Sequence, residues 1–378
     1  MPSMSTEELD HLTKRVFNPR EGDRALGILV DLPDGEVADY PAWVERRAMA
    51  ADWRERLNGA RSELGLEAVD LIFYRNARRN NADLPGEALL FAGGELPVRA
   101  DQIEAAATPF GPILDDHRLL IALTHFSATA PLKLTAKKHG FRAATLPGFR
   151  KEMIPALKLD YGEIGDRCEQ LKSVLDEATA ADLLFEAAGE EHRLRLDLRH
   201  RAATASGGRL TEPGTAGNLP AGETYIVPYE GELQGDPSGS AGTLPLELDG
   251  ELMVCRIEKN KVVEVLGDGP RARKEREEFQ AEPAYANVAE LGLGVLHDYG
   301  VRPVGELLLD EKLGLHIAFG RSDHFGGQVG VADFSAPDRV VHIDRVYLPE
   351  VQPQVKARSV DLELPSGARP LMRDGKYV

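Results

Sequence analysis

A histidine and an aspartate, His342 and Asp344, lie two residues apart in the short apolar run VVHID. If this run is a β-strand, side chains alternate between its two faces, and both polar groups point to the same side. Removing an imidazole and a carboxylate from water is costly unless a partner compensates for the lost hydration. A metal ion is one such partner. A hydrogen bond between the two side chains, or an exposed strand face, is the alternative.

Three further segments place acidic groups or a histidine beside apolar residues and glycines. Glu311 precedes a Lys-Leu-Gly turn, and His316 opens an apolar strand five residues later. Glu290 lies in the run AELGLG, which offers no basic partner, and Glu223 follows the loop NLPAG. Each pattern alone is also typical of a solvated carboxylate or a core histidine. The glycines do not form a dinucleotide fingerprint, because His297 replaces the third one.

Strands and helices alternate in the first half of the chain, which should form the scaffold. Apolar runs predict strands at 25–32, 69–74, 119–124 and 142–146. Helices are expected between these strands and after the last of them. Such alternation is typical of a mainly parallel sheet with crossover helices.

The second half is expected to be rich in strands and to carry the polar residues described above. A stretch rich in Gly, Ser, Thr and Pro begins at residue 202, and we place the domain boundary or a long ordered crossover there. Beyond it, strands are predicted at 225–227, 252–257, 262–266, 307–309, 315–319 and 340–347. The predicted fold class is α/β, with an N-terminal parallel-sheet domain (residues 1–201) and a β-rich α+β domain for the candidate site (residues 202–378).

Composition and charge exclude several classes of protein. The 378 residues include 45 Lys and Arg against 62 Asp and Glu, and the formal net charge of −17 disfavours nucleic acid as a partner. No apolar run approaches the roughly 20 residues of a membrane helix, so no membrane partner is expected. The polar start lacks the apolar core of a signal peptide, and the 2 distant cysteines form no disulfide framework. These features predict a cytoplasmic protein.

Taken in order, the four polar segments resemble a known family of metallopeptidases. The runs LPAGE, ELGLG, DEK followed by HIAFG, and HID are similar to the motifs of the thermophilic aminopeptidases of the T and S type. The resemblance covers roughly residues 120–350 and is strongest after residue 218. It implies two divalent metal ions (Zn²⁺, Co²⁺ or Mn²⁺), bridged by one carboxylate, that of Glu290. The implied ligands are Glu223, Glu290, Glu311, His316, His342 and Asp344.

The resemblance also implies an activity and an assembly. Metal-activated water would release the N-terminal residue from a small peptide or a similar small molecule, in a homodimer whose sites face an internal cavity. Glu290 or Glu311 would relay the proton from the water to the leaving amine, as carboxylates do in general acid–base steps. Four carboxylates and two imidazoles would bring a charge of −4 to one site, which two dications balance.

At one position the sequence departs from the family. The peptidases have a tyrosine seven residues after the strand histidine, where it helps to stabilise the oxyanion, whereas this chain has Asp323. An ionised carboxylate cannot donate a hydrogen bond to an oxyanion. Tyr347 or His324 could supply that donor instead.

Through the His-x-Asp pair the chain also resembles a second branch of the fold family, the 2,5-dihydroxypyridine dioxygenases. That resemblance implies a single Fe(II) held by two histidines and one aspartate, which opens the ring with O₂. Glu290 stands where that branch is expected to have a histidine, and Glu223 and Glu311 are retained. The residues therefore favour the dinuclear hydrolase over the dioxygenase. A non-catalytic scaffold relative is the third alternative.

Overall fold

The structure, a computed structural model, describes residues 3–378. The chain forms two compact units. The first runs up to Ile164 and resumes over Gly208–Ala221, and the second comprises Gly165–Gly207 and Gly222–Val378.

Eight α-helices and twenty strands occur in the described residues. The helices are α1 (Thr6–Phe17), α2 (Pro41–Ala60), α3 (Phe110–Asp116), α4 (Thr129–His139), α5 (Ile154–Leu157), α6 (Tyr161–Glu177), α7 (Pro270–Ala281) and α8 (Leu307–Asp310). The strands are β1 (Ala25–Leu32), β2 (Ala68–Arg75), β3 (Glu87–Phe91), β4 (Thr108–Pro109), β5 (Leu119–Ala122), β6 (Arg142–Thr145), β7 (Ala180–Ala187), β8 (Glu190–Asp197), β9 (Thr204–Ser206), β10 (Ala216–Asn218), β11 (Glu223–Ile226), β12 (Ala241–Leu248), β13 (Glu251–Glu258), β14 (Lys261–Leu266), β15 (Val288–Gly294), β16 (Leu315–Gly320), β17 (His342–Val346), β18 (Val355–Leu364), β19 (Gly367–Arg373) and β20 (Lys376–Tyr377).

One mainly parallel sheet builds the first unit, with the strand order β10-β6-β5-β1-β2-β3-β4. Its first five strands pair in parallel, and β3 and β4 are antiparallel neighbours at one edge. Strands β5 and β6 are buried throughout, and β1 is buried except at its first residue. Burial on both faces explains why β1 and β5 are mainly apolar runs rather than alternating ones.

Two antiparallel sheets build the second unit. The larger has eight strands in the order β14-β13-β12-β8-β7-β18-β19-β20, and the smaller has five in the order β17-β16-β15-β11-β9. Two 3-10 turns flank β16 and carry residues of the candidate site, Glu311–Leu313 before the strand and Asp323–Phe325 after it.

The predicted fold class is confirmed, since a parallel α/β sheet is followed by β-rich structure. The strand predicted at 307–309 is wrong, because Leu307–Asp310 is helix α8. Three apolar residues are too short a run to distinguish the two conformations. None of the helices in residues 3–378 combines the length and apolar character that a membrane span requires.

The compact units do not follow the boundary predicted at residue 202. Residues 165–201 belong to the second unit, because β7 and β8 pair within the eight-stranded sheet. Residues 208–221 return to the first unit, because β10 pairs in parallel with β6. The Gly-, Ser- and Pro-rich stretch is therefore an ordered crossover that extends the parallel sheet by one strand.

Candidate metal centre

The six predicted site residues lie in the second unit, on or beside the five-stranded sheet. Glu311 begins the 3-10 turn just before β16. The other five are distributed over four neighbouring strands: Glu223 on β11, Glu290 on β15, His316 on β16, and His342 and Asp344 on β17.

The strand register places these side chains on one face of the sheet. Glu290 pairs with Ala318, and Ala318 pairs with Asp344. Directly opposed residues of antiparallel strands project to the same side, so Glu290 and Asp344 share a face. Small residues lie between the polar ones on this face, at Gly292, Gly294, Ala318 and Gly320, and Tyr225 and Val346 share the face.

Two of these glycines are required by close approach. A Cβ on Gly292 would lie 1.8 Å from Nε2 of His316. A Cβ on Gly294 would lie 2.3 Å from the backbone carbonyl carbon of Lys312. The glycines therefore let the imidazole lie over β15 and let the turn that carries Glu311 pack against the same strand. These contacts explain why the run ELGLG has glycine at positions 292 and 294, although the run is not part of a dinucleotide-binding motif.

Two groups of ligand-type atoms converge on this face, and Glu290 belongs to both. In the first group, one carboxylate oxygen each of Glu223 and Glu290 and one ring nitrogen of His316 lie within 4.8 Å of one another. In the second group, the same holds for one ligand atom each of Glu290, His342 and Asp344. Oε1 of Glu290 is 3.2 Å from Nε2 of His316, and its Oε2 is 3.2 Å from Nε2 of His342. The two oxygens of one buried carboxylate thus face two different imidazoles.

Each imidazole is oriented from behind by a backbone carbonyl. Nδ1 of His316 lies 3.1 Å from the Gly314 oxygen, and Nδ1 of His342 lies 2.7 Å from the Arg321 oxygen. Nδ1 therefore carries the proton that it donates to the carbonyl, while Nε2 faces the carboxylates. Metal-binding histidines are held in this way by a partner on the second ring nitrogen.

Burial and the carboxylates act in opposite directions on the histidines. Burial alone would lower the pKa of His316, but Glu290 and Asp344 raise this pKa to about 9. The same balance, with hydrogen bonds to Asp344 and Glu290, raises the pKa of His342 well above its ordinary value. Burial would raise the pKa of Glu290 and Asp344, yet the imidazoles lower it for both. Without metal, the site holds protons between its carboxylates.

A buried lysine completes the site, and the sequence analysis missed it. Lys312 is 3% exposed, and its Nζ lies 2.5 Å from Oε1 of Glu223 and also bonds Glu311. Burial disfavours the ammonium, but these two carboxylates raise its pKa overall. Burial raises the pKa of Glu223, and it raises that of Glu311 to about 8. The available signal was a lysine placed directly after Glu311 in an otherwise apolar run.

Glu311 lies beside the two groups rather than inside them. Its carboxyl group hydrogen-bonds Asp344 and pairs with Lys312. Neither of the two ligand groups found in residues 3–378 includes it. The structure therefore brings five of the six predicted residues together and places the sixth against them.

The residues considered in connection with the absent tyrosine lie in different surroundings. Burial would raise the pKa of Asp323, but Arg321, whose Nε lies 2.5 Å from its Oδ1, lowers it overall, so this carboxylate donates no hydrogen bond. Tyr347 is buried, and its hydroxyl donates to a carbonyl of β12 at 3.0 Å, so it cannot serve the site. The ring of His324 lies 5.3 Å from the ring of His342, between centroids.

The donor set fits divalent cations. Carboxylate oxygens and imidazole nitrogens suit Zn²⁺, Co²⁺, Mn²⁺ and Fe(II), and they do not select among these ions. Four ionised carboxylates beside the single ammonium of Lys312 would leave an excess of negative charge in a buried site, which cations or protons must neutralise.

Known proteins share this fold at low sequence identity. No family model and no curated protein sequence matches the chain. The solved 2,5-dihydroxypyridine dioxygenase from Pseudomonas putida KT2440 is similar with a TM-score of 0.60 and 15% identity, over 99% of this chain and 96% of that one. Wild-type AmpT from Thermus thermophilus, a thermophilic aminopeptidase, is similar with a TM-score of 0.56 and 18% identity, over 99% of this chain and 98% of that one.

Both structural neighbours are enzymes, one an aminopeptidase and the other a dioxygenase. The comparisons therefore show a shared fold, and the likeness extends over nearly the whole of each chain.

Proposed function

We propose that this protein is a metal-dependent hydrolase that holds two divalent cations and releases N-terminal residues from small peptides. The observation that carries the proposal is the position of Glu290. Its two oxygens each lie 3.2 Å from Nε2 of a different histidine, His316 and His342. Glu223 and Asp344 complete the two ligand groups that share this carboxylate. Such a carboxylate is suited to bridge two cations.

Held by these residues, two divalent cations would supply an activated water molecule and a Lewis acid for the substrate carbonyl. A side chain near the ligand groups must then transfer the proton from the water to the leaving amine. Both oxygens of Glu290 are engaged by imidazoles, whereas Glu311 lies outside the two ligand groups and hydrogen-bonds Asp344. We therefore assign proton transfer to the leaving amine to Glu311 rather than Glu290.

His324 is our candidate for the hydrogen-bond donor that the family's tyrosine supplies. Its ring lies 5.3 Å from that of His342, and an imidazole carries at least one N–H donor in either protonation state. Asp323, at the position of that tyrosine, is paired with Arg321. The donor role would thus pass to the next residue along the same turn.

Lys312 favours a second candidate function. Its ammonium already pairs with Glu223 and Glu311, which leaves Glu290, His342 and Asp344 as one group of ligands without a cation. Three ligands leave coordination positions open, as at a mononuclear Fe(II) site, but this group has one histidine and two carboxylates where the usual triad has two histidines and one carboxylate. The second candidate is therefore a ring-cleaving dioxygenase that acts on a hydroxypyridine-like aromatic compound, and the neighbour from Pseudomonas putida shares its fold.

Metal content and product analysis separate the candidates. We expect protein loaded with Zn²⁺, Co²⁺ or Mn²⁺ to bind two ions per chain and to release free amino acids from a dipeptide library, as measured by mass spectrometry. One iron per chain and O₂ consumption with 2,5-dihydroxypyridine, without amino-acid release, would establish the dioxygenase instead. Absence of bound metal, with a stability unaffected by chelator, would refute both and leave a non-catalytic relative.

The resemblance also implies a homodimer, and the composition of the sequence predicts a cytoplasmic location. We retain both as predictions. Sedimentation equilibrium of the full chain tests the first, with an expected mass twice that of one chain.

A further inference from the structure

The loop that follows β16 carries two aromatic residues to the candidate metal centre. In its 3-10 turn, the ring of Phe325 lies 4.6 Å from that of Tyr225 and 5.3 Å from that of His342, between centroids. The ring of His324 lies 3.9 Å from that of Phe325. Tyr225, His324 and Phe325 thus form one aromatic cluster, which contacts the ring of His342, a predicted metal ligand.

The sheet order shows where this cluster lies. Tyr225 follows Glu223 by two residues on β11, so both project to the ligand face. His342 lies on the same face of β17, with β15 and β16 between the two strands. Because Phe325 contacts the rings of both Tyr225 and His342, it lies above these intervening strands, where Glu290 is located.

A buried carboxylate anchors this loop. Glu230 accepts hydrogen bonds from Oγ of Ser322 and from the backbone nitrogen of Gln328, each at 2.5 Å. It also accepts one from Nδ2 of Asn287 at 2.7 Å, and it pairs with the buried Arg201 at 3.3 Å. The loop is therefore fastened on both sides of the turn that carries Phe325. The position of this ring is built into the fold.

The aromatic cluster is partly open to solvent, unlike the aromatic core of the same unit. Tyr225, at the inner end of the cluster, is buried, whereas the side chain of His324 is 34% exposed and Phe325 is half-buried. The core aromatics that pack against one another are buried: Phe279, Tyr285 and Phe319. Accessible aromatic rings next to converging polar groups are typical of sites for small molecules.

We propose that Phe325 and Tyr225, with His324 at their outer edge, form the wall of a subsite that receives a large apolar, preferably aromatic, side chain of the substrate. The proposal rests on the peptidase function proposed above and specifies its substrates as peptides with an aromatic or large aliphatic N-terminal residue. Such a side chain gains from burial of apolar surface and from ring-to-ring contact. A glycine at the same position gains neither.

Binding of two amides tests the proposal, and their hydrolysis is measured separately. Zn²⁺-loaded protein is titrated calorimetrically with L-phenylalaninamide and with glycinamide. We expect the wild-type protein to bind the former about tenfold more tightly, from the apolar surface and ring contact of one benzyl group. Phe325→Ala should reduce that ratio by about fivefold, since one ring of the wall is lost. Its glycinamide affinity and its Zn²⁺ content should remain at wild-type values.

Val331→Ala is the matched control, because Val331 is a 43% exposed apolar residue of the following turn, outside the aromatic cluster. It should change neither affinity. A wild-type ratio near one, or an unchanged ratio in Phe325→Ala, would overturn the proposal. Failure of the peptidase function has a different signature, in which the preference for L-phenylalaninamide persists while neither amide is hydrolysed.

Discussion

Gly292 and His316 lie opposite each other on β15 and β16, and the imidazole occupies the space that a Cβ on residue 292 would need, 1.8 Å from Nε2. Gly292→Ala should therefore displace His316 from Glu290. We expect the affinity for Zn²⁺ to fall by about 10–100-fold, as when the support of a ligand is lost. Overpacking should lower the free energy of unfolding by about 1–3 kcal/mol. Equilibrium dialysis with metal analysis measures the first effect, and urea denaturation the second.

Gly59→Ala is the control for this substitution. Gly59 lies in helix α2, and its Cβ would meet nothing within 4 Å. Replacement of a helical glycine by alanine should stabilise the protein by up to about 1 kcal/mol without changing metal affinity. If Gly292→Ala bound Zn²⁺ as tightly as the wild-type protein, the imidazole would have another position in which it can act as a ligand, and the assigned geometry would be wrong.

A second prediction concerns the first unit, where His117 is buried and titratable. Nε2 of His117 lies 3.1 Å from Oδ2 of Asp70, and Nδ1 lies 2.7 Å from the Ile113 oxygen. Burial alone would lower the pKa of His117, but these partners raise it above the ordinary 6.5. A raised pKa in the folded state means that protonation stabilises the fold. This contribution is complete below the unfolded pKa and is lost as the pH rises through the folded pKa.

His117→Gln removes that contribution. The free energy of unfolding, measured by urea denaturation, should therefore differ between the wild-type protein and the variant by more at about pH 5.5 than at about pH 9. A difference that stays constant over this range would mean that the imidazole contributes through packing and neutral hydrogen bonds alone.

The sequence predicted the ligand face because strand periodicity is local. His342 and Asp344 share a face whatever the rest of the fold does, and Glu290 lacks basic neighbours within its own strand. The pairing of Lys312 with Glu223 could not be predicted in the same way. It joins residues 89 positions apart, and it depends on a turn that packs tightly against Gly294.

The same distinction applies to the fold. The apolar run of β1 matched its strand at both ends, because burial on both faces leaves a continuous signal. Strand β10 is three residues long, and it joins the parallel sheet only by pairing with β6, far back in the chain. The loop that carries Phe325 likewise takes its position from Glu230, which lies 92 residues before Ser322. Contacts at such separation are absent from local patterns of hydrophobicity.

The sharing of Glu290 between the two ligand groups leads to a third prediction. Wild-type protein should bind two Zn²⁺ ions per chain, and Glu223→Gln should bind one, because Glu223 belongs to a single group. Glu290→Gln should lose both ions, because its carboxylate belongs to both groups. Metal analysis after gel filtration gives these counts.

Glu264→Gln is the control for the metal counts, since Glu264 is an exposed residue of β14 paired with Arg256. It should leave two bound ions. One residual ion in Glu290→Gln would show that the carboxylate does not bridge, and equal counts in Glu223→Gln and the wild-type protein would remove Glu223 from the ligand set.

Lys312 and the candidate cations neutralise the same carboxylates, and this leads to a fourth prediction. Lys312→Met leaves Glu223 and Glu311 buried without their ammonium. In the presence of EDTA the variant should lose about 3–5 kcal/mol of unfolding free energy, the typical result of breaking a buried ion pair from one side. With saturating Zn²⁺ the dications replace the missing charge, and the loss should become smaller. Urea denaturation under both conditions measures the two values.

Lys356→Met provides the comparison for this last experiment, because Lys356 is 60% exposed and pairs with Glu186 on the sheet surface. Lys356→Met should lower the free energy of unfolding by at most about 1 kcal/mol, with or without Zn²⁺. If Lys312→Met lost the same free energy in EDTA and in Zn²⁺, the ammonium and the metal would not share carboxylates. Glu223 would then have to be removed from the proposed ligands, and the single-cation site of Glu290, His342 and Asp344 would be favoured.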